Sequence, residues 1–348
     1  MITYRSLNDY LRESFGSKVY KLALSTSCTC PNRDGTLGTS GCIFCSAGGS
    51  GEFAQSSLLP VAEQIERAKQ LVSRKVPENA RYIAYFQSYT NTYAPAFQLR
   101  PLFTEAIMHP DVVALSIATR PDCLPPDILD LLAELNEVKP VWVELGLQTI
   151  HASSAAYIRR GYALPVFDQA VRALHARGIS VIVHLILGLP GETVNDMMAS
   201  ARYVSDCLME NKVGADGRST DGRCANGRST DGPDTDGRCA DGRCADGQDT
   251  DGRRADGRCA DGLKFHLLHV LRGTDLEQEY RLGRVPVMSM EAYFDALAAC
   301  LAVISPDLII HRLTGDGAKK DLIAPLWSAN KKAVLNAWRE YCRKDGSV

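Results

Sequence analysis

Residues 141–188 read VWVELGLQTIHASSAAYIRRGYALPVFDQAVRALHARGISVIVHLILG. Two runs, 141–148 and 180–188, are apolar at almost every position rather than at alternate ones. That is the pattern of strands covered on both faces, which pair in parallel. Between them, Pro165–Arg177 places apolar residues at helical spacing, with proline in its first turn and Gly178 past its end. Strand, helix, strand is one right-handed crossover unit. Similar apolar runs recur at 19–25, 81–87, 112–118 and 263–270. Helical periodicity fills the intervals at Leu59–Ser73, Ala96–Met108, Pro126–Asn136 and Glu192–Asn211. Six such strands in series predict an α/β protein with a parallel sheet, either curled into a barrel or open and doubly wound. In both forms the chemistry belongs at the carboxyl ends of the strands.

Composition is that of an ordinary globular chain of 348 residues, 45% hydrophobic and 23% charged, with a net charge of −2. A near-zero charge excludes a global basic field, so a nucleic-acid partner would have to be held by a local patch. The opening MITYRSLNDYLRESFG has no apolar signal core, and no later run approaches ~18 apolar residues. A soluble, cytoplasmic protein with no membrane partner is expected. There the 12 cysteines are better read as ligands or packing residues than as disulfides. Cys123, Cys207, Cys300 and Cys342 lie in apolar contexts and are expected to pack.

Between Gly214 and Leu263 an Asp-Gly or Asn-Gly pair recurs every five residues, with little that is apolar beyond Ala and Cys. Such a tract cannot offset the entropy of ordering, and its glycines break helix and strand alike. Removing Arg218–Gly262, nine pentads, leaves KVGADGLKFHLLHVLRGT, a smooth passage from helix end to strand. A disordered tandem expansion of one surface loop is expected over 216–262, because closure entropy grows only slowly with length. Calcium binding or metal capture by Cys224, Cys239, Cys244 and Cys259 are the functional alternatives. Calcium-binding β-rolls need an inward apolar residue that this pentad lacks.

The loop CTCPNRDGTLGTSGCIFCSAGGSGEF, 28–53, follows the first strand and so falls on the face where the polar strand ends gather. Its Cys28, Cys30, Cys42 and Cys45 could close a tetrahedral zinc site. Cys28 and Cys30 are, however, spaced more tightly than zinc-knuckle pairs usually are. The other reading is a four-iron cluster on three thiolates, with one iron left open for a chelating small molecule.

CPNRDGTLGTSGCIFC, with its C-x11-C-x2-C spacing, resembles the radical S-adenosylmethionine (radical SAM) superfamily. More closely it resembles the YtqA/YhcC-like group, with an Elp3-related core and MnmL-like tRNA-modifying members. The resemblance continues through YFQSYTNTYAP, TRPDCL, VELGLQT, RRGY, HLILGLPGET, KFHLLHVLRGT and HRLTGDGAKKDLIAPLWSANK. It implies a partial (β/α)6 TIM-like barrel over 1–285, interrupted by the repeat, and a C-terminal extension over 286–348 made of helix, lid loop and helix. It further implies a [4Fe–4S] cluster on Cys30, Cys42 and Cys45 and SAM on the open iron. Cys28 has no place in that triad. Gln87, Ser88 and Asn91 are then candidates for the methionine end of SAM, and Arg160 for its carboxylate. Gln148 is placed at the ribose, Gly188 and Gly191 at the adenine-side turn, and Phe44 beside the cluster.

Other polar residues are read from their positions. Glu144, costly to bury unpaired, should face the lumen with a polar partner or pair with Arg120. His184 is expected to be a packed, hydrogen-bonded core histidine, and at most one of His266 and His269, with His269 the candidate, to face substrate. In the extension, Arg312, Asp316, Trp327 and Lys331 suit substrate recognition, in a mix compatible with single-stranded RNA. The resemblance implies a tRNA substrate whose wobble uridine carries a carboxymethylaminomethyl group, taken to the aminomethyl form and passed to a tRNA methyltransferase. It also implies an electron donor such as flavodoxin or ferredoxin. The alternatives are radical chemistry on a porphyrinogen-like small molecule and a zinc-organised binding protein.

Overall fold

The computed structural model of the chain describes residues 2–49, 51–73, 76–77, 80–210, 261–315, 317 and 319–344. It opens with β1 (Arg5–Ser6) and α1 (Leu7–Phe15). Six strands then lie side by side in sequence order: β2 (Val19–Leu24), β3 (Arg81–Phe86), β4 (Val112–Thr119), β5 (Val141–Gln148), β6 (Ser180–Leu187) and β7 (Gly262–Leu267). All pair in parallel. The intervening α2 (Val61–Val72), α3 (Ala96–Met108), α4 (Pro126–Val138), α6 (Leu164–His175) and α7 (Val194–Glu210) fall within two residues of the expected helices; α5 (Ala152–Tyr157) is a short addition. The result is a curled, partial α/β barrel.

Two further parallel strands extend the sheet beyond β7. β9 (Ile309–Arg312) pairs with β7, and β1 pairs with β9, making eight strands in all. Strands of two and four residues carry too little periodicity to be read from sequence. The expected strand 263–270 divides: β7 ends at Leu267, and β8 (Val270–Leu271) pairs antiparallel with β10 (Leu322–Ala324). The C-terminal part adds α8 (Asp275–Arg281), α9 (Met290–Ala302) and α10 (Lys331–Lys344). Most of 216–262 lies outside the described residues, but Asp261 and Gly262 do not. The Asp261 carboxylate accepts from Val181 N at 2.6 Å, and Gly262 begins β7. That Asp-Gly pair belongs to the barrel, a correction to the expected boundary of the insert.

Alternate residues of each strand point to opposite faces, and this period of two sorts the barrel. Leu22, Leu24, Ala84, Phe86, Leu115, Ile117, Val143, Leu145, Val181 and Val183 face the helices and form the main core. The inward residues stack in layers. Val19, Ile83, Ala114, Trp142, Ile182 and Ile309 make an apolar plug with Leu11 of α1. Helix α1 can seal this end because Ser6 caps its start and Gly16, at φ 67°, turns the chain away at its end. Two residues further along each strand stand Lys21, Tyr85, Ser116, Glu144 and His184, with Lys264 in register beside His184. Two residues on again, Gln87, Ala118, Gly146, Ile186 and His266 line an open cavity. The plug ends the lumen and the polar belt floors the cavity.

Candidate active site

The cavity has a volume of about 250 Å³ and sits at the carboxyl ends of the strands. Cys30, Cys42 and Cys45 form part of its wall. Their loop is braced by its own residues. Arg33 N and Asp34 N donate to Cys30 O at 2.8 and 3.2 Å, and Cys45 N donates to Cys42 O at 2.9 Å. The Arg33 guanidinium donates to the carbonyls of Cys45 and Ser46 at 2.8 and 2.7 Å. It runs so close beneath Gly41 that a Cβ there would lie 2.9 Å from its Nε. Asn32 Nδ2 donates to Arg159 O at 2.7 Å and to Cys42 Sγ at 3.4 Å, tying the loop to the segment after α5.

The placement of the sulfurs bears on the choice of metal. Among the described residues, the metal-ligating atoms that gather in a group of three or more within 4.8 Å are those of Glu66, His109 and Asp111, and the cysteines are not among them. A tetrahedral zinc with bonds of about 2.3 Å holds its sulfurs roughly 3.8 Å apart. Cys28 stands outside the cavity wall, packs against the main core and points its sulfur at Asn91 O, 3.9 Å away. Three thiols on the cavity wall and a fourth turned into the core suit a polynuclear iron centre on Cys30, Cys42 and Cys45. Burial and the neighbouring Cys45 push the Cys42 thiol up to about 11, so a bound metal is what would draw off its proton. At the Glu66 group, Lys69 Nζ lies 2.8 Å from both carboxylates and supplies the cation itself.

Phe44, Gln87, Gln148, Arg160, His269 and Arg312 all reach the cavity wall. Arg160, 4% exposed, donates to the carbonyls of Tyr162, Leu147 and Thr149, and its guanidinium lies 4.6 Å from the Tyr162 ring. It has no carboxylate partner among the described residues, and burial lowers its affinity for its proton. A buried guanidinium held only by neutral groups is suited to an incoming carboxylate. Gln148 adopts φ 70°, Tyr89 φ 56° and Arg159 φ 59°. These left-handed conformations at non-glycine residues cluster at the site, as stored backbone strain usually does.

Other candidates fall elsewhere. Asn91 is fully buried, and its amide is spent on Phe86 O, Ala118 O and the Thr26 hydroxyl. Ser88 is occupied by Ser25 Oγ at 2.8 Å. Gly188 lies beneath Met288, whose Sδ would be 2.8 Å from an added Cβ, and Gly191 faces open space. Trp327 donates to Met288 O at 3.0 Å and lies tilted against Tyr293; Lys331 begins α10. None of these six lines the cavity. Asp316 lies outside the described residues.

The polar belt was read only in part. Glu144 faces the lumen, and Arg120 instead makes a bidentate pair with Asp122 at 2.9 and 2.8 Å. Glu144 Oε1 accepts from Lys21 Nζ at 2.8 Å and Ser116 Oγ at 2.6 Å. Its Oε2 is 2.9 Å from His184 Nε2 and also meets Lys264 Nζ. His184 is thus hydrogen-bonded, as expected, and in addition lines the cavity. Burial opposes ionisation, yet Lys21 and Lys264 hold Glu144 well below the usual carboxylate range. Lys264 escaped notice in the sequence. A charged residue in phase with Lys21, Glu144 and His184 was the available signal.

Comparison with known proteins agrees with this geometry. The model of the radical SAM superfamily matches residues 25–204, and that of the Radical_SAM C-terminal domain matches 260–344. The chain is 38% identical over 344 residues to the uncharacterized protein YtqA of Bacillus subtilis, covering 99% of this chain and 91% of that protein. A local stretch of 79 residues, 23% of this chain and 14% of the relative, is 34% identical to a tRNA uridine(34) acetyltransferase of Methanocaldococcus jannaschii. The fold follows that of Elp3 from Methanocaldococcus infernus, with TM-score 0.62 and 13% identity over 94% of this chain and 63% of that one. No helix among the described residues is long and apolar enough to cross a membrane. With the family match running unbroken from the cysteine loop into α7, the chain belongs to the radical SAM superfamily of enzymes, whose cofactors are a [4Fe–4S] cluster and S-adenosylmethionine.

Proposed function

We propose that this enzyme acts on tRNA, converting a carboxymethylaminomethyl group on a wobble uridine to the aminomethyl form. The observation that carries the reading is the local likeness to a protein named for uridine 34 of tRNA, in a chain that also shares the Elp3 fold. The cavity supports it: a lumen floored by polar groups, with the cysteine loop in its wall, suits one side chain inserted from a larger molecule.

In this reading Cys30, Cys42 and Cys45 hold the cluster, and Arg160 receives the SAM carboxylate. Gln87 and Gln148 supply neutral hydrogen bonds along the same wall. Once held there, the cofactors would supply radical hydrogen-abstraction chemistry, and the protein's part is to orient the reactants and keep water out. Radical SAM enzymes need an electron donor, here a flavodoxin or ferredoxin. The product passes to a separate tRNA methyltransferase.

Nucleoside analysis of tRNA from cells lacking the gene tests the reading. The carboxymethylaminomethyl nucleoside should accumulate and the aminomethyl form should disappear. Unchanged wobble uridines would remove tRNA as the substrate and leave radical chemistry on a small molecule.

A further inference from the structure

Among the described residues Arg33, Arg120, Arg160 and Arg312 line the cavity, and of these Arg33 belongs to the cysteine loop. Its contacts run to the three cavity-wall cysteines in turn. Arg33 N donates to Cys30 O at 2.8 Å, and its Nη2 donates to Cys45 O at 2.8 Å. The guanidinium also passes beneath Gly41, the neighbour of Cys42, where an added Cβ would lie 2.9 to 3.0 Å from Nε, Cζ and Nη2. Ser46 O accepts from the same Nη2 at 2.7 Å and lies 3.7 Å from Cys45 Sγ, so cation and sulfur meet at one carbonyl. The Tyr89 ring lies 5.8 Å from the guanidinium carbon.

These partners are neutral. Arg33 is half-buried and forms no ion pair with a carboxylate among the described residues. Of the carboxylates on the same wall, Glu144 is held by Lys21, Lys264 and His184, and Glu52 bonds the Ser46 hydroxyl. Arg120, by contrast, is matched by Asp122 in its bidentate pair. Two backbone carbonyls need a donor but not a charge, and a neutral amide would satisfy them without the cost of partly burying a cation. That cost is offset when negative charge arrives beside it. Cys30, Cys42 and Cys45 bring such charge on taking up a metal centre, because ligation requires the thiolate form.

We propose that Arg33 is the counter-charge of the iron–sulfur cluster: its guanidinium, fixed against the loop of Cys30, Cys42 and Cys45, helps to hold the anionic cluster and eases its reduction. Reduction adds one more negative charge, so a fixed cation stabilises the reduced form more than the oxidised form and raises the potential. Net charge and polar contacts near the sulfurs are among the factors that set such potentials. The electron itself comes from the external donor. Arg33 acts through the cysteines and not on substrate, which makes it a positioning residue. The inference rests on Cys30, Cys42 and Cys45 as the ligands and is independent of the tRNA reading.

The test is a redox titration of anaerobically reconstituted protein without SAM, followed by electron paramagnetic resonance, with iron content measured in parallel. Arg33→Gln removes the charge and keeps an amide donor, whereas Arg33→Lys keeps the charge and loses the fork. Arg33→Gln should disfavour one-electron reduction by about tenfold, a fall of about 59 mV in midpoint potential. Arg33→Lys should restore the parent potential. If Arg33→Gln takes up no iron while Arg33→Lys loads and titrates like the parent, the proposal also stands, because charge without the fork then suffices. An Arg33→Gln protein that loads and keeps or raises the parent potential would overturn it. So would a lowered potential in Arg33→Lys, which would assign the effect to hydrogen-bond geometry, or loss of iron from Arg33→Lys, which would leave Arg33 a brace for the loop. Cys42→Ala runs alongside. Iron retained in that variant would remove the ligand assignment and this inference with it, whereas every Arg33 outcome leaves the ligand assignment standing.

Discussion

Cys28 and Cys30 are two residues apart, yet the fold sends them to different places. Cys30 reaches the cavity wall, whereas Cys28 packs against the core, where burial raises its thiol above the ordinary range. Cys28→Ala should therefore keep the full iron content of anaerobically prepared protein, at a stability cost of about 1 kcal/mol or less. Cys42→Ala should lose most of its iron. Equal iron loss in the two variants would return Cys28 to the ligand set. Spacing alone could not separate these residues, because i and i+2 share a face only in an extended chain and this loop turns at Cys30. Asn91 illustrates the same limit: its polarity and strand-end position were legible, but not that its amide would be consumed in stapling β3 and β4 to the segment after β2. The left-handed residues Tyr89, Gln148 and Arg159 gave no signal, since none is a glycine or asparagine.

Elements were legible where they were long. The six central strands and their helices could be read because each runs apolar or periodic for at least six residues. β1, β8, β9 and β10 could not, because their pairing is fixed by partners distant in sequence. The seam at β7 combines both cases. Asp261 accepts from Val181 N at 2.6 Å, lies 3.0 Å from His175 Nε2, and gives its carbonyl to Ile309 N. Gly262 must lack a side chain, because a Cβ would fall 2.2 Å from Ile309 O. Deleting Arg218–Gly262 removes this pair but leaves Asp216-Gly217 directly before Leu263, so the same two residues re-enter the seam. The deletion variant should fold, bind its cluster and cleave SAM like the parent. In the full chain, Asp261→Ala should cost roughly 2–3 kcal/mol, the worth of a buried charged hydrogen bond, while Asp216→Ala should cost nothing. In the deletion variant Asp216→Ala should acquire that cost. Urea midpoints of the parent and these four variants decide it, and an Asp216→Ala deletion variant as stable as its parent would refute the exchange.

Across the whole molecule the polar belt joins β2 to β7 through Glu144, and its protonation is coupled to folding. Burial holds His184 down to about 4, from an ordinary 6.5, and holds His266 well below its ordinary value. The groups facing them are Lys21, Tyr85, Glu144, Lys264, His269 and Arg312. Between pH 6.5 and about 4 the unfolded chain binds a proton at His184 that the folded chain refuses, and His266 likewise refuses its proton below 6.5. Stability from the neutral rings is therefore complete above pH 6.5 and drains as pH falls toward 4. Each ring contributes a slope of up to about 1.4 kcal/mol per pH unit. Glu144, held low by Lys21 and Lys264, adds its own loss only below the ordinary carboxylate value of 4.5. Urea unfolding from about pH 7 to about pH 5 therefore reads the histidines of the belt together with Lys264, which burial also holds well below its ordinary value. His184→Gln keeps a donor for Glu144 and removes one titrating ring, so its stability should fall less steeply over that range than the parent's. His184→Gln with His266→Gln should flatten the dependence further. A slope unchanged by either substitution would mean that the belt takes up protons in the fold as readily as in the unfolded chain.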